Sequence, residues 1–308
     1  NMTAADNRLK LEESSLESIT EALTRLQELT VNAGSGTLTI TDRQAISAEI
    51  GQLEDQLAAL FNTKDPNGEF IFGGFKGATQ PFQQKDNGRY EYQGDEGQRY
   101  LAIGDTTRVA TGDNGKKLFV DVRAAKNTFT SSVNPLNTGT TQVNAGFVVD
   151  EEAYGEFYPD DLIVTFNPEA AIDPPGPNYT IRRASDGRVV DGIADRAYSK
   201  GAEIVAAGIS IKISGDPKPG DEVLAKSSPK QSITDTVFRL RQGLDTLQDN
   251  PTDSATLDIL IEDTLTNLAN AQTSVSEVRS QLGARLNVVE NARNLSDDVR
   301  LVSQEVLS

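Results

Sequence analysis

The chain contains two kinds of hydrophobic pattern, and the helical kind lies at both ends. Near the amino end, apolar positions recur at helical spacing, which places them on one face of an α-helix. These positions are Leu9, Leu16, Ile19, Leu23, Leu26, Thr30 and Ala33. The pattern predicts a helix over residues 3–33, and Gly34-Ser35-Gly36 ends it because glycine disfavours the helical backbone.

A second helix is predicted over residues 41–64. Its apolar positions step by four and three without interruption: Ile46, Ile50, Leu53, Leu57 and Leu60. Thr41 and Gln44 have the spacing of a capping box, in which each side chain accepts the backbone amide of the other residue. The segment Asp65-Pro66-Asn67-Gly68 then stops the helix.

Two further helices are predicted at the carboxyl end, over residues 231–249 and 253–306. The first has its stripe at Ile233, Val237, Leu240, Leu244 and Leu247. Asn250-Pro251 separates the two, and Thr252 or Asp253 can cap the second. The stripe of the last helix is Leu268, Ala271, Val275, Val278, Leu282, Val289, Ala292, Val299 and Val306.

The middle of the chain, about residues 67–228, has the alternating pattern of β-strands. Three runs alternate most clearly: Leu118, Val120 and Val122; Leu162, Val164 and Phe166; and Ile209, Ile211 and Ile213. Hairpin turns are predicted at Asn87-Gly88, Asn114-Gly115 and Asp186-Gly187. Residues 126–146 are rich in Asn, Thr, Ser and Gly, which predicts a linker into a second β unit.

These elements predict an α+β fold, in which the terminal helices form an elongated bundle and the β-structure is inserted between them. We expect a rod domain made of residues 1–125 and 200–308. It would include the four helices and a β unit of residues 67–125 and 203–226. Residues 126–199 are expected to form an outer β domain.

Composition narrows the functional classes. The net charge of −17 repels a phosphate backbone, so nucleic-acid binding is not expected. The chain has no Cys and no His, which removes disulfides, thiolate metal sites and the commonest general base. The sequence contains no run of about 18 apolar residues, so no transmembrane helix is predicted.

Several segments contain residues that could form a chemical site, and each also has a structural interpretation. Gly112 to Lys117 lacks the phosphate-loop spacing, and we interpret it as a hairpin turn. Gly73 to Gly77 is interpreted as a tight turn. The acidic groups Asp150-Glu151-Glu152 and Asp160-Asp161 are read as solvated surface charge, because adjacent carboxylates on a strand point to opposite faces. We therefore predict no enzyme, no catalytic, cofactor-binding or metal-binding residues, and no cofactor.

Several stretches resemble the terminal helices of the flagellin superfamily. Residues 26–33 and 42–53 resemble its amino-terminal helices, and residues 280–287 resemble the matching carboxyl-terminal helix. Two other stretches are similar to the hook-associated junction proteins, most closely to the filament-proximal FlgL type. The first runs from Gly68 to Gly74 and continues through Thr79-Gln80-Pro81-Phe82, and the second runs from Gly208 to Asp221.

The resemblance implies a structural subunit of the bacterial flagellum, located outside the cell at the hook–filament junction. There it would form a ring and connect the hook to the filament as an adaptor. Implied partners are other copies of itself, the hook-proximal junction protein, flagellin and an export chaperone in the cytoplasm. Three alternatives remain: flagellin itself, the hook-proximal junction protein, and a secreted coiled-coil adhesin.

The resemblance also implies amphipathic arms at both ends, which order on assembly. Because the last helical pattern continues to Val306, we expect these arms to lie beyond this sequence. A chain without them is expected to be monomeric, since segments of this kind supply the apolar interface.

Overall fold

The structure is a computed structural model and describes residues 2–104 and 107–307. The described residues form five α-helices: α1 (Met2–Ala33), α2 (Ile40–Phe61), α3 (Glu151–Phe157), α4 (Ile233–Thr246) and α5 (Pro251–Leu307). The strands of the first half are β1 (Phe82–Gln84), β2 (Tyr90–Tyr92), β3 (Tyr100–Ala102), β4 (Arg108–Ala110), β5 (Arg123–Val133), β6 (Gln142–Val143) and β7 (Phe147–Val148). Those of the second half are β8 (Leu162–Asn167), β9 (Asn178–Arg183), β10 (Arg196–Ala197), β11 (Glu203–Ala206), β12 (Ile209–Ser214) and β13 (Glu222–Lys230).

The chain divides into two compact units. Unit 1 contains the described residues of 1–83, 90–122 and 268–308, and unit 2 contains 84–89 and 123–267. The α+β fold class, with helices at the ends and β-structure between, is confirmed. The observed units differ from the predicted domains, because residues 200–267 lie in unit 2. Strands β12 and β13 pair there with strands from 123–167, β11 pairs with β12, and α4 follows β13 directly.

Helix α1 follows its predicted pattern. Each of its seven predicted apolar positions is buried. The helix ends where the amide of Gly34 donates to the carbonyl of Thr30 at 3.1 Å. Burying a large aliphatic side chain stabilises a fold by about 1.5–3 kcal/mol, so this stripe is a major part of the core of unit 1.

The predicted capping box of α2 is wrong by two residues. The helix begins at Ile40, and Thr39 is its cap. The Thr39 hydroxyl accepts the amide of Asp42 at 3.3 Å, while the Asp42 carboxylate accepts the amide of Thr39 at 2.9 Å. Aspartate at the third helical position therefore performs the role that the sequence analysis gave to Gln44.

The buried face of α2 is also rotated from the predicted seam. Ile50 and Leu57 are buried as predicted, whereas Ile46, Leu53 and Leu60 are half-buried. The other buried positions are Arg43, Ser47, Glu54, Ala58 and Phe61. The heptad period was thus correct, but polar side chains occupy part of the buried face.

Helix α5 contributes to both units. Its predicted stripe is buried from Leu268 to Val289. Beyond it, Ala292 is half-buried and Val299 is 58% exposed. The side chain of Val306 lies outside the part that the structure describes.

An aromatic cluster completes the core of unit 1. Phe61 and Phe119 stack with ring centroids 4.1 Å apart, and Phe72 and Phe82 pack against Phe119. The predicted strand at Leu118, Val120 and Val122 is wrong, because residues Lys116–Val120 form a π-helical turn. That turn buries the neighbouring residues Leu118 and Phe119 together, which a strand would point to opposite faces.

Unit 2 contains two sheets. The five-stranded sheet has the antiparallel order β10-β9-β8-β13-β5. In the second sheet, β12 pairs with β11, β6 and β7. The predicted alternations in β8 and β12 are confirmed, because the six apolar residues that define them are all buried in one core.

The predicted linker over residues 126–146 is wrong over its first third and again at strand β6, Gln142–Val143. Residues 123–133 form strand β5, which pairs with β13 from Val133↔Val223 to Arg123↔Lys230. Its polar composition suggested a loop, but threonine has high β-propensity and the strand gains its partner about 100 residues later in the chain.

Two of the three predicted turns are confirmed. Gly88 closes the β1–β2 hairpin with φ +84°, and Gly187 has φ +70° in the turn after β9. Asn114-Gly115 is not a hairpin, because Gly115 has φ −66° and leads into the π-helical turn. No helix in the described residues is both long enough and apolar enough to cross a lipid bilayer.

Candidate functional site

The first acidic group of the sequence, residues 150–152, lies at the start of a helix and not on a strand. Asp150 caps α3, and its carboxylate accepts the amide of Ala153 at 3.0 Å. Glu151 is exposed and forms an ion pair with Lys126 at 2.6 Å. Carboxylates are favourable at a helix amino end, so this group has a structural role there.

The second acidic group, Asp160-Asp161, holds backbone segments together. The Asp161 carboxylate accepts the amide of Ser227 at 2.8 Å, and the Asp160 carboxylate accepts the amide and hydroxyl of Ser185. Burial opposes the ionised form of Asp160, but hydrogen bonds from Ser185 outweigh it and lower its pKa. The two carboxylates are half-buried and accept hydrogen bonds from backbone amides, so they are not only solvated surface charge.

No three His, Cys, Asp or Glu side chains among the described residues are grouped to hold a metal ion. The absence of a catalytic, cofactor or metal site stays a prediction.

A buried acid pair lies in unit 1. Glu12 of α1 is 2% exposed, and its Oε1 accepts the amide of Asp113 at 3.0 Å. Asp113 is also 2% exposed, and Arg285 of α5 donates to its carboxylate at 2.7 Å. Burial, followed by the charge of Asp113, raises the pKa of Glu12 to about 8. Glu12 is therefore mostly protonated at neutral pH.

A buried ionic network lies in unit 2. Arg89 donates to both carboxylate oxygens of Asp235, at 2.8 and 2.9 Å, and to the carbonyl of Ser131 at 2.7 Å. Arg239 donates to the carbonyls of Phe129 and Ala145 at 2.9 and 3.0 Å. The two guanidinium groups thus bond to carbonyls of the edge strand β5.

The opposing charges in this network fix its protonation. Burial disfavours the ionised form of Asp235, but the charge and hydrogen bonds of Arg89 outweigh it and lower its pKa. Burial lowers the pKa of Arg239 to about 10, so this guanidinium keeps its charge at neutral pH.

A cleft of about 310 Å³ lies in unit 2 beside Arg239. Its walls are the first residues of β5, the segment from β7 into α3, and the first part of α5. Two exposed apolar side chains line it, Val149 at 47% and Ile259 at 43%. The volume lies at the small end of the range for ligand pockets, about 300–1,000 Å³.

An exposed aromatic residue lies in the Gly73 to Gly77 segment of unit 1. Phe75 is 66% exposed, and its amide donates to Asp95 at 2.8 Å. Its ring lies against Gly97, where a Cβ atom would come within 2.3 Å of the ring. The segment is a tight turn, as predicted, but it also presents a large apolar side chain to solvent.

Helix α5 exposes an apolar stripe near its carboxyl end. Val288, Leu295, Val299 and Val302 are 42–66% exposed and recur at steps of seven, four and three. An exposed apolar stripe of this kind is typical of protein–protein contact.

Sequence reasoning missed the two buried ionic clusters and the cleft. Arg89, Asp113 and Asp235 were not singled out as partners, because charged residues usually lie on the surface. The sequence offered one signal: the charged residue Glu12 lies three positions after Leu9, on the predicted buried face of α1.

Comparison with known proteins identifies the family. The model of the bacterial flagellin N-terminal helical region matches residues 1–76. The crystal structure of flagellar hook-associated protein 3 from Legionella pneumophila matches with 31% identity and a TM-score of 0.64, covering 100% of this chain and 93% of that one. The chain belongs to the flagellar hook-associated protein 3 (FlgL) family. The family predicted from the sequence is therefore confirmed.

Two curated members of the FlgL family match over shorter regions. The Salmonella typhimurium protein is 32% identical over 151 residues, which cover 49% of this chain and 44% of that protein. The Escherichia coli protein is 43% identical over 88 residues, which cover 29% of this chain and 27% of that protein. The matched regions thus span less than half the length of these two relatives.

Proposed function

We propose that this FlgL-family protein is a non-catalytic structural subunit of the bacterial flagellum. It forms a ring with copies of itself outside the cell and joins the hook to the filament. Its neighbours along the axis are the hook-proximal junction protein and flagellin, and a chaperone covers it before export. The observation that carries this proposal is the match along 93% of a solved hook-associated protein 3.

The exposed surface of α5 supports a role in assembly. The stripe formed by Val288, Leu295, Val299 and Val302 has the spacing that two helices use to pack side by side. A mechanical ring needs a large and apolar interface, of the obligate kind that exceeds about 2,000 Å². Burying this stripe against neighbouring subunits supplies part of that area.

Deletion of the parent gene tests the proposal. We expect cells that carry hooks but no filaments and that release flagellin into the medium. Expression of the intact gene from a plasmid is expected to restore the filaments, while the Leu295→Asp/Val299→Asp variant is expected to restore few. Normal filaments on the hooks of deleted cells would overturn the proposal. Glycan or host-protein binding by the purified protein would instead favour the adhesin alternative.

A further inference from the structure

We propose that Phe75 of one copy of this chain docks in the unit 2 cleft of the next copy, with Lys76 directed toward Glu151 and Asp263. The inference rests on the proposed ring and names a contact that would close it. A cyclic ring of more than two identical subunits uses head-to-tail contacts, in which two different surfaces of the same chain meet. Phe75 and the cleft lie on different units, so they can serve as the two surfaces.

The Phe75 turn is held in one conformation before any contact forms. The Asp95 carboxylate accepts the amides of Phe75 and Gly97, both at 2.8 Å. Arg99 donates to the carbonyls of Gly74 at 3.2 Å and Phe75 at 3.3 Å. A preorganised apolar side chain loses little conformational entropy on binding, which is the property of an interface anchor.

The cleft has the size and lining to accept one aromatic side chain. Its volume of about 310 Å³ suits a phenyl ring together with part of the adjoining backbone. Val149 and Ile259 offer apolar contact at its mouth. On its wall, the Nε donor of Arg239 is buried and has no hydrogen-bond partner among the described residues. A backbone carbonyl of the incoming turn would supply that acceptor.

The charges of the two surfaces are complementary. Lys126 lies 2.6 Å from Glu151 and 3.4 Å from Asp263, so one cation faces two carboxylates at the cleft. Lys76 is exposed and follows Phe75 directly. Its ammonium group would neutralise the remaining negative charge. Burial raises the pKa of Asp263, because it disfavours the ionised carboxylate. A second cation beside this carboxylate would stabilise its ionised form.

Cysteine cross-linking tests the contact, and the chain offers a clean background because it has no Cys. The Lys76→Cys/Glu151→Cys double variant would be expressed in cells that lack the parent gene, and isolated hooks would be oxidised. A head-to-tail contact is expected to yield a ladder of disulfide-linked trimers and higher oligomers in non-reducing gels. The Lys76→Cys/Asp216→Cys variant is the matched control, since Asp216 is 80% exposed in unit 2.

Adding Phe75→Ala to the double variant is expected to reduce the cross-linked fraction roughly tenfold or more, as loss of an interface anchor does. Normal ring assembly with no ladder would overturn the inference while leaving the proposed function intact. If the double variant fails to assemble, the two single-cysteine proteins would be co-expressed in cells that lack the parent gene, and the isolated hooks would be oxidised. Disulfide-linked dimers between the Lys76→Cys and Glu151→Cys proteins are expected to exceed those between the Lys76→Cys and Asp216→Cys proteins. Equal amounts of the two dimers would overturn the inference. Failure of the proposed function is seen separately, as filaments on the hooks of deleted cells.

Discussion

Glu12 is predicted to make the stability of this protein fall as the pH rises. An unfolded glutamate has a pKa near 4.5, whereas burial raises the pKa of Glu12 to about 8 in the fold. Between these two values the folded state binds one more proton than the unfolded state. The free energy of unfolding therefore decreases through this window and levels off above pH 8.

The size of the effect follows from the two pKa values. At about 1.4 kcal/mol per pKa unit, their difference corresponds to about 5 kcal/mol of unfolding free energy. This value is an upper bound on the stability that is lost as the pH rises. The geometry agrees, since Oε1 accepts one hydrogen bond while Oε2 is buried with no partner in the described residues. A protonated carboxyl meets this environment at a lower cost than a carboxylate does.

Glu12→Gln tests this reasoning, because the amide keeps the shape of the protonated side chain without its titration. We expect the variant and the parent to have similar stability at pH 5. At pH 8.5 the variant is expected to be more stable by roughly 2–5 kcal/mol. Urea unfolding followed by circular dichroism at 222 nm measures both values.

The neighbouring substitution Glu13→Gln is the matched control for this experiment. Glu13 accepts from Arg279 at 2.7 Å on a partly exposed surface, so its loss is expected to cost about 1 kcal/mol or less at both pH values. If the stability difference between Glu12→Gln and the parent is no larger at pH 8.5 than at pH 5, Glu12 is ionised in the fold. The Arg285 charge would then compensate both carboxylates, and the reasoning above would be refuted.

Two further substitutions probe local structure. Asp235→Ala leaves the buried Arg89 without its carboxylate, so we expect a loss of about 3–5 kcal/mol in urea unfolding, whereas Asp216→Ala on the surface is expected to change little. Thr39→Ala removes the cap of α2 and is expected to lower the free energy of unfolding by about 1 kcal/mol. The nearby Thr37→Ala is the control and is expected to cause no measurable change. Equal melting curves for the two variants would show that the cap does not stabilise the helix.

The helical ends could be predicted because their pattern is local. An apolar side chain at every third or fourth position determines both the helix and its buried face, and this was correct for all of α1 and for α5 up to Val289. The rotation of α2 could not be predicted in this way. Arg43 and Glu54 are polar, and their burial depends on neighbours that a single stripe does not reveal.

The middle of the chain was harder to predict because its pairs form between distant residues. The alternation in β8 and β12 was visible, but the polar strand β5 is recognisable only through its partner β13. The same holds for the Arg89–Asp235 pair, which joins residues 146 positions apart. Each charge alone resembles a surface residue, and only the fold brings the two together in a buried site.

The difference between the predicted domains and the observed units has the same physical origin. The predicted rod includes residues 200–230, which contain the strand-and-turn stretch from Gly208 to Asp221. In the structure, β12 pairs with β6 and β7, and β13 pairs with β5 and β8. Without these two strands, β6 and β7 would have no partner in the second sheet, and β5 would be separated from β8 to β10. Replacing only residues 140–200 by a short linker would therefore remove β6 to β10, so that β12 would keep only β11 as a partner and β13 would keep only β5. A domain that is inserted in sequence need not end where the sequence resemblance resumes.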